Sequence, residues 1–424
     1  MLKENGELDL KKFTLDSYKK TITQVTSKVW HVLGYGHSNA IFIEGNISVI
    51  LIDTLDTFER GEKLLNIIEE KTGKPVKTII YTHSHPDHRG GAGAFMNTSP
   101  EIIAFSPAAP LLQGTEILQD IQNLRGNRQF GYSLNDEENI SQGIGIREGI
   151  PYGEKRAFVK PTTLYDESKV VREIDGIKIE MVRLPGEAED QIMIWLPDEK
   201  ALCCGDNYYG CWPNLYAIRG GQYRDIAVWL DSIKIILSYQ AEHLLSGHTR
   251  VISGKDEVKK VLTNFHGAIN YVLQKTLEGM NMGKSIDALA SEIRLPEEYA
   301  SLPYLKEHYG SIDWTVRSIY TAYLGWFDGN PTKLHPLSPK EHAHKTIKMM
   351  GGSENILKEI KEAFERKEYQ WCLELCDLLI DGKKEIKEAY AKKSKALIEI
   401  SNLETSANGR HYYIAYAHEI KNIY

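Results

Sequence analysis

The chain of 424 residues carries a formal net charge of −7, and 42% of its residues are hydrophobic. This composition predicts a globular protein of two or three domains, at roughly 150 residues per domain. The acidic balance excludes a broad cationic surface for nucleic acid or anionic membrane, although it leaves room for a small basic pocket. We therefore expect no nucleic-acid and no membrane partner.

Two further features bear on the compartment. No run approaches the ~20 apolar residues of a membrane span, and the polar N-terminus lacks the apolar core of a secretory signal. The five cysteines lack paired spacing, which favours reduced thiols over a disulfide framework. These features predict a cytoplasmic protein.

The first part of the chain, residues 1–255, reads as an α/β domain. Residues 20–56 contain three strand-like runs, and residues 58–73 have helical periodicity that stops at a glycine. Strand-like runs resume after residue 175 and are followed by one apolar helix. Residues 110–165 lack periodicity, so we expect an irregular insertion that forms a lid or a pocket wall. The order of elements predicts sheets covered by helices.

From residue 256 onward the pattern is helical throughout, with apolar residues at i, i+3 and i+4. A strip rich in proline and glycine, residues 327–341, reads as a linker. The last part, residues 351–424, is similar to paired antiparallel helices of tetratricopeptide type. The fold class predicted is α/β followed by an all-α half, with boundaries at 1–255, 256–350 and 351–424.

The stretch "YTHSHPDHRGG", residues 81–91, holds three histidines and one aspartate within six positions: His83, His85, Asp87 and His88. Imidazole nitrogen and carboxylate oxygen are ligands that zinc accepts readily. His83 and His85 are two apart on an extended segment and point the same way, whereas Asp87 and His88 follow the turn. The motif therefore predicts that one loop serves two metal ions.

A two-metal site needs ligands from elsewhere in the chain. Glu187, Asp206 and His248 each follow a strand-like run and a glycine. Loops at the ends of neighbouring strands meet at one edge of a sheet. These three residues are accordingly the candidates for the remaining ligands.

With these residues in place, the chain resembles the alkyl sulfatase branch of the metallo-β-lactamase fold superfamily. The segments "TIIYTHSHPDHRGGAGAF", "LPGEAE" and "PNLYAIRGG" carry the resemblance, which extends over residues 30–420. It implies an αββα sandwich in residues 1–255. It also implies a helical dimerisation domain in residues 256–350 and hence a homodimer.

The resemblance also implies a ligand set. Metal one would be held by His83, His85 and Glu187, and metal two by Asp87, His88 and His248, with Asp206 bridging. A glutamate at position 187, where most of the superfamily has histidine, is characteristic of the alkyl sulfatase branch.

Three departures from that branch stand out. Asp206 replaces the usual bridging glutamate, and a loop one residue shorter leaves Glu189 as a rival to Glu187. The chain ends where many relatives continue into a sterol-carrier-like domain. We expect it to lack that domain, which puts long-chain detergents in doubt as substrates.

The activity implied is hydrolysis of alkyl sulfate esters to alcohol and inorganic sulfate, by a metal-bound hydroxide on two zinc ions or other divalent metals. Asp87 and Asp206 would belong to the catalytic centre. Arg219 matches the sulfate-binding arginine of the family, with Asn214 as its polar partner. The irregular insertion offers further anion-binding candidates, namely Arg125, Arg128 and Tyr132, and Asp53 would support the metal loop by hydrogen bonding.

Two alternatives remain open. The same metals could serve hydrolysis of another ester class, a thioester, lactone or phosphodiester. A non-hydrolytic protein, flavodiiron-like or a helical scaffold, is the third hypothesis. Whether hydroxide attacks sulfur or carbon is also open.

Overall fold

Two β-sheets stack face to face in the computed structural model, which describes residues 2–421. Met1 and residues 422–424, the end of the predicted C-terminal segment, lie outside the described residues. The first sheet has seven strands in chain order: β1 (Thr21–Gln24), β2 (Val29–Leu33), β3 (Ala40–Glu44), β4 (Val49–Ile52), β5 (Val76–Ile80), β6 (Glu101–Phe105) and β7 (Thr163–Tyr165). The second has six, in the order β13 to β8: β8 (Lys169–Ile174), β9 (Ile177–Arg183), β10 (Ile192–Leu196), β11 (Ala201–Cys203), β12 (His243–Leu245) and β13 (Ile252–Ser253).

Helices cover both outer faces of this pair of sheets. Ile50, Ile80 and Ile194 belong to a buried cluster contributed by both sheets, which is therefore the layer between them. Leu64 of α2 (Phe58–Thr72) packs on the outer face of the first sheet, and Trp229 of α6 (Ile226–Ser238) packs on the outer face of the second sheet. The helices up to residue 238 are α1 (Gly6–Ser17), α2 (Phe58–Thr72), α3 (Pro86–Arg89), α4 (Gln119–Phe130), α5 (Asp136–Asn139) and α6 (Ile226–Ser238). The predicted αββα sandwich is confirmed.

Strand order positions the functional loops. In the first sheet, β4, β5 and β6 are parallel neighbours, and in the second β11 and β12 are parallel. The carboxyl ends of parallel neighbours meet at one edge of a sheet. The loops after β4, β5, β11 and β12 therefore gather at one end of the sandwich, as does the loop after β9.

The second half is helical, as predicted. Its helices are α7 (Lys255–Asn281), α8 (Ile286–Glu292), α9 (Glu297–Ala300), α10 (Ile312–Leu324), α11 (Pro339–Met349), α12 (Ser353–Glu365), α13 (Tyr369–Asp381), α14 (Ile386–Leu403) and α15 (Ala407–Lys421). Phe265 of α7 and Val316 of α10 share one buried cluster with α6, so this half packs directly on the sandwich. None of the described helices is long and apolar enough to cross a membrane.

The boundaries at 255 and 350 stay predictions, because packing crosses both of them. Helix α1 packs on α14, and α15 packs on α4 and α5 of the first half.

Six short 3-10 helices complete the described part of the fold: Ala92–Thr98, Thr115–Leu118, Ile150–Tyr152, Gly205–Asn207, Pro303–Leu305 and Pro331–Lys333.

The insertion predicted as irregular contains a helix, α4. Its sequence, QDIQNLRGNRQF, has few apolar residues and therefore little helical periodicity. The helix is stabilised from a distance, because α15 packs along it. A contact between segments nearly 300 residues apart leaves no local signal.

Candidate metal centre and substrate pocket

All seven predicted ligands lie together at the end of the sandwich where the loops gather. Their donor atoms fall into groups within 4.8 Å of one another: His83 with His88 and Asp206, His85 with Glu187 and Asp206, and Asp87 with His248. Four of these side chains follow β5, and the others follow β9, β11 and β12. The structure thus joins one short motif to three distant loops.

Four donor atoms have the spacing of a tetrahedral metal site. His88 Nε2 lies 3.4 Å from both Asp87 Oδ2 and Asp206 Oδ2. His248 Nε2 lies 3.3 Å from Asp87 Oδ2, 3.2 Å from Asp206 Oδ2 and 3.2 Å from His88 Nε2. Ligands at ~2.0–2.1 Å around a tetrahedral zinc ion stand roughly 3.3–3.4 Å apart. These residues therefore fit one metal ion.

The tautomers of two rings support the same conclusion. His88 Nδ1 lies 2.7 Å from Asp53 Oδ2, and His248 Nδ1 lies 3.2 Å from the His37 carbonyl. Each Nδ1 donates its proton to an oxygen, so the Nε2 atom of each neutral ring bears a lone pair. In the neutral rings these two lone pairs face each other at 3.2 Å, an arrangement that suits a metal cation between them.

A second, more open donor set adjoins the first. His83 Nε2 lies 3.7 Å from Asp206 Oδ2, and His85 Nδ1 lies 4.0 Å from Glu187 Oε1. Among the described residues, His83 Nε2, Glu187 Oε2 and Asp206 Oδ1 are buried without a hydrogen-bond partner. Buried polar atoms without partners are costly, so they fit a second metal ion. Glu189, the rival to Glu187, belongs to none of the donor groups.

Hydrogen bonds to Asp53, in the turn after β4, hold the motif of His83 to His88 in place. Asp53 accepts hydrogen bonds from the Thr82 N–H at 2.8 Å and the Thr82 hydroxyl at 2.7 Å, besides its contact with His88. Asp53 and Leu55 have positive φ angles of 59° and 66°, conformations that persist only where the surroundings enforce them. A Cβ at Gly90 would lie 2.0 Å from the Asp56 carbonyl oxygen, so only glycine fits against this turn.

The electrostatics of the centre favour a cation. Burial alone would lower the pKa of His248, but the charge of Asp206 and its hydrogen bonds with Asp206 and Asp87 raise it to about 10. Burial lowers the pKa of His83 to about 3. The pKa of Asp206 lies well below its usual value, because His248 and His88 outweigh the effect of burial. Asp87 and Asp206 are thus ionised and their field attracts positive charge, whereas burial raises the pKa of Glu187 to about 7.

A cavity of about 780 Å³ opens beside the second donor set. His85 and Glu187 line the cavity together with Arg219 and Arg224, and the charges of both arginines act on His85. Its walls are largely apolar and include Pro107, Leu111, Leu215, Ala217, Tyr223 and Ala322. Arginines next to donor-group residues, with apolar side chains in the same lining, suit an amphiphilic anion.

Arg219 lines the cavity, and Asn214 lies beside the lining residue Arg224, which donates to the Asn214 carbonyl. The Arg219 side chain donates to the Gly220 carbonyl at 3.1 Å, while its backbone N–H donates to Gln129. Burial, and then the charge of Arg224, lowers the pKa of Arg219. Asn214 is 1% exposed, and neither polar atom of its amide has a partner among the described residues. Both side chains therefore have unused capacity to bind an anion.

Arg128 and Tyr132, predicted in the insertion as anion-binding residues, contact other residues of the protein. Arg128 donates from Nε to Glu419 at 3.0 Å and stacks on Tyr412 and Tyr416 of α15, so the structure does not bring it to the donor groups. Tyr132 donates to the buried Glu148 at 2.8 Å. These contacts account for both side chains without a bound anion.

Arg125 supports the loop that carries Arg219. Its guanidinium donates to the Ile218 carbonyl at 2.6 Å, directly before Arg219. Ser84 donates to Asp190 at 3.2 Å.

Two residues of the site escaped the sequence analysis. Arg224 Nη1 lies 2.7 Å from Glu187 Oε1 and also donates to the Asn214 carbonyl, so it links a metal-ligand candidate to a substrate-binding one. The sequence feature that could have indicated Arg224 is a second arginine five positions after Arg219. His37 belongs to a donor group with Asp87 and His248, and its signal was a histidine at the turn before β3.

Comparison with known proteins gives the class first. Residues 33–248 match the family model described as the metallo-beta-lactamase superfamily, which agrees with the stacked sheets and the clustered ligands. Residues 285–422 match the model described as alkyl sulfatase dimerisation. The second match crosses the predicted boundary at residue 350.

Individual relatives narrow the class. A linear primary-alkylsulfatase of Pseudomonas sp. is 31% identical over 389 residues, which cover 89% of this chain and 73% of that protein. An alkyl/aryl-sulfatase of Saccharomyces cerevisiae is 27% identical over 94% of this chain, which spans 63% of that protein. The crystal structure of the stereoselective inverting sec-alkylsulfatase Pisa1 from Pseudomonas sp. superposes with a TM-score of 0.86 at 26% identity, over 95% of this chain and 66% of Pisa1.

The chain belongs to the alkylsulfatase family of the metallo-β-lactamase superfamily.

Proposed function

We propose that the protein is a binuclear zinc hydrolase that cleaves alkyl sulfate esters to an alcohol and inorganic sulfate. The observation that carries the proposal is the position of the donor groups, which adjoin a cavity lined by arginines and apolar side chains. The relatives named as alkylsulfatases support this reaction over cleavage of a thioester, lactone or phosphodiester.

Two divalent ions at this centre would lower the pKa of water and so supply hydroxide at neutral pH. His83, His85 and Glu187 would hold one ion, and Asp87, His88 and His248 the other, with Asp206 between them. Asp53 keeps His88 in the tautomer whose Nε2 can bind metal. The chain thereby holds the ligand atoms in fixed positions, and zinc would displace the proton that His248 carries in the metal-free protein.

The anionic headgroup would bind beside Arg219. The Arg219 guanidinium offers a planar fork of donors, and the Asn214 amide offers a neutral one. The alkyl part would lie against the apolar wall that includes Leu215 and Ala217. This placement puts the ester between the sulfate-binding groups and the metal-ligand groups.

We also propose that the protein functions as a homodimer, because residues 285–422 match a dimerisation model. The cytoplasmic location stays a prediction.

The test is turnover of a panel of substrates by the purified, zinc-loaded protein. Alkyl sulfates of graded chain length should release inorganic sulfate, whereas matched thioesters and phosphodiesters should remain intact. A chelator should abolish the activity and added zinc should restore it. Cleavage of thioesters or phosphodiesters without release of sulfate would contradict the proposal. Labelled water decides the bond cleaved, because label in the alcohol indicates attack at carbon.

A further inference from the structure

His37 stands next to the metal-ligand candidates although it lies outside the motif. Its side chain is 3% exposed, and its Nε2 lies 3.9 Å from Asp87 Oδ2. The donor atoms of His37, Asp87 and His248 all lie within 4.8 Å of one another. A fourth distant segment, the turn between β2 and β3, therefore reaches the centre.

Every other polar group of His37 is fixed. Its N–H donates to Asp56 Oδ1 at 3.0 Å, its carbonyl accepts from His248 Nδ1 at 3.2 Å, and its Nδ1 contacts the Ile146 carbonyl at 3.2 Å. A Cβ at Gly145 would lie 2.0 Å from the His37 carbonyl oxygen and 3.0 Å from Nδ1, so this loop closes on the histidine. These contacts hold the ring with Nδ1 toward Ile146 and Nε2 toward Asp87.

The contact with Ile146 determines the tautomer. A carbonyl oxygen only accepts, so Nδ1 carries the proton and Nε2 of the neutral ring has a lone pair. That lone pair faces a carboxylate oxygen of Asp87, which is also an acceptor. No hydrogen bond to His37 Nε2 is formed within residues 2–421 at this 3.9 Å separation. Two acceptors in this arrangement call for a cation.

We infer that His37 Nε2 is an additional ligand of the metal ion held by Asp87, His88 and His248. This inference rests on the proposed binuclear centre. The ion would then have three imidazole nitrogens, with carboxylate oxygens from Asp87 and Asp206. Zinc sites expand from four to five ligands, and some donors of a five-coordinate ion stand wider apart than in a tetrahedron. The longer separation at His37 agrees with that geometry.

The inference makes the two metal sites unequal. The second site has three histidines, whereas the first has His83 and His85. Loss of His37 should therefore weaken one site and leave the other unchanged.

The test is competition for zinc between a chromogenic chelator and the metal-depleted protein. Wild type should bind two zinc ions. His37→Ala should bind one of them about 10- to 100-fold more weakly, the range expected when a group that supports a metal is removed. His37→Gln should show the same loss, although its amide can still donate to the Ile146 carbonyl. His266→Ala, on α7 outside the donor groups, is the control and should bind like wild type.

Wild-type affinity at both sites in the two His37 variants would overturn the inference while leaving the proposed function intact. Fewer than two zinc ions in wild type would overturn both. If the variants fail to fold, the zinc-loaded wild-type crystal decides by anomalous scattering. His37 Nε2 within about 2.3 Å of a metal supports the inference, and a longer distance contradicts it.

Discussion

Glu187 and Glu189 lie in one loop, yet only Glu187 belongs to a donor group. Glu187→Ala should lower zinc affinity at one site by at least tenfold, because the site loses a charged ligand. Glu189→Ala should leave zinc binding unchanged and is the matched control. Metal content after dialysis measures both variants. Loss of zinc from the Glu189 variant alone would reverse the assignment.

The titration of His248 makes zinc affinity depend on pH. Its pKa is raised to about 10, because Asp206 and Asp87 outweigh the lowering by burial, so the metal-free ring is protonated at pH 7. Zinc binds the neutral ring and must displace that proton. Apparent affinity should therefore rise between pH 6 and pH 9, by about tenfold per pH unit for one displaced proton.

Chelator competition at several pH values measures this dependence. An affinity that stays constant from pH 6 to pH 9 would show that no proton is displaced, and it would contradict the assigned role of His248.

At the level of single residues, the sequence predicted the seven residues whose donor atoms lie together and the supporting Asp53, but it did not predict Arg224 or His37. The motif from His83 to His88 is local, and its residue types have few other uses in such density. Arg224 and His37 were missed because an arginine or a histidine alone is uninformative. Their roles exist only where the loop before α6 and the turn before β3 fold against the ligands.

Among the elements, the packing of α15 on α4 joins the last described helix to the insertion in the first half. Besides the pair of Arg128 and Glu419, the buried His411 of α15 contacts the carbonyls of Gln129 and Asn139. Helix α4 thus depends on a partner far away in sequence, which is why the insertion carried no helical signal. Helix α2, whose periodicity is local, was predicted close to its observed bounds, whereas the three strand-like runs predicted in residues 20–56 are four strands, β1 to β4.

The Arg128 pair separates stability from substrate binding. Arg128→Ala should lower the free energy of unfolding by about 1 kcal/mol, because a partly buried, charge-assisted pair is lost. It should leave KM for an alkyl sulfate unchanged. Denaturant unfolding and steady-state kinetics measure the two effects.

Arg219→Ala is the matched variant. It should lower kcat/KM by about 10- to 100-fold with little change in stability, because a charge-assisted contact to sulfate is removed. A raised KM in the Arg128 variant would instead support its predicted role in anion binding.

For the whole molecule, the dimer offers a test of how the chain assembles. Trp326 is 74% exposed and lies within the segment that matches the dimerisation model. Large exposed apolar side chains mark contact surfaces, so Trp326→Ser should shift the protein toward monomer at low concentration. Ile47→Ser, at a residue 78% exposed in a sheet turn outside that segment, is the control.

Sedimentation equilibrium of both variants distinguishes the outcomes. A Trp326 variant that dimerises as tightly as wild type would exclude this residue from the interface.

Two bound metal ions should be what enables this centre to hydrolyse sulfate esters. The most direct measurement is the activity of metal-depleted protein on an alkyl sulfate during titration with zinc. We predict that activity rises with added zinc and reaches its plateau at two equivalents per chain. Full activity in the metal-depleted protein, or a plateau at one equivalent, would contradict the claim.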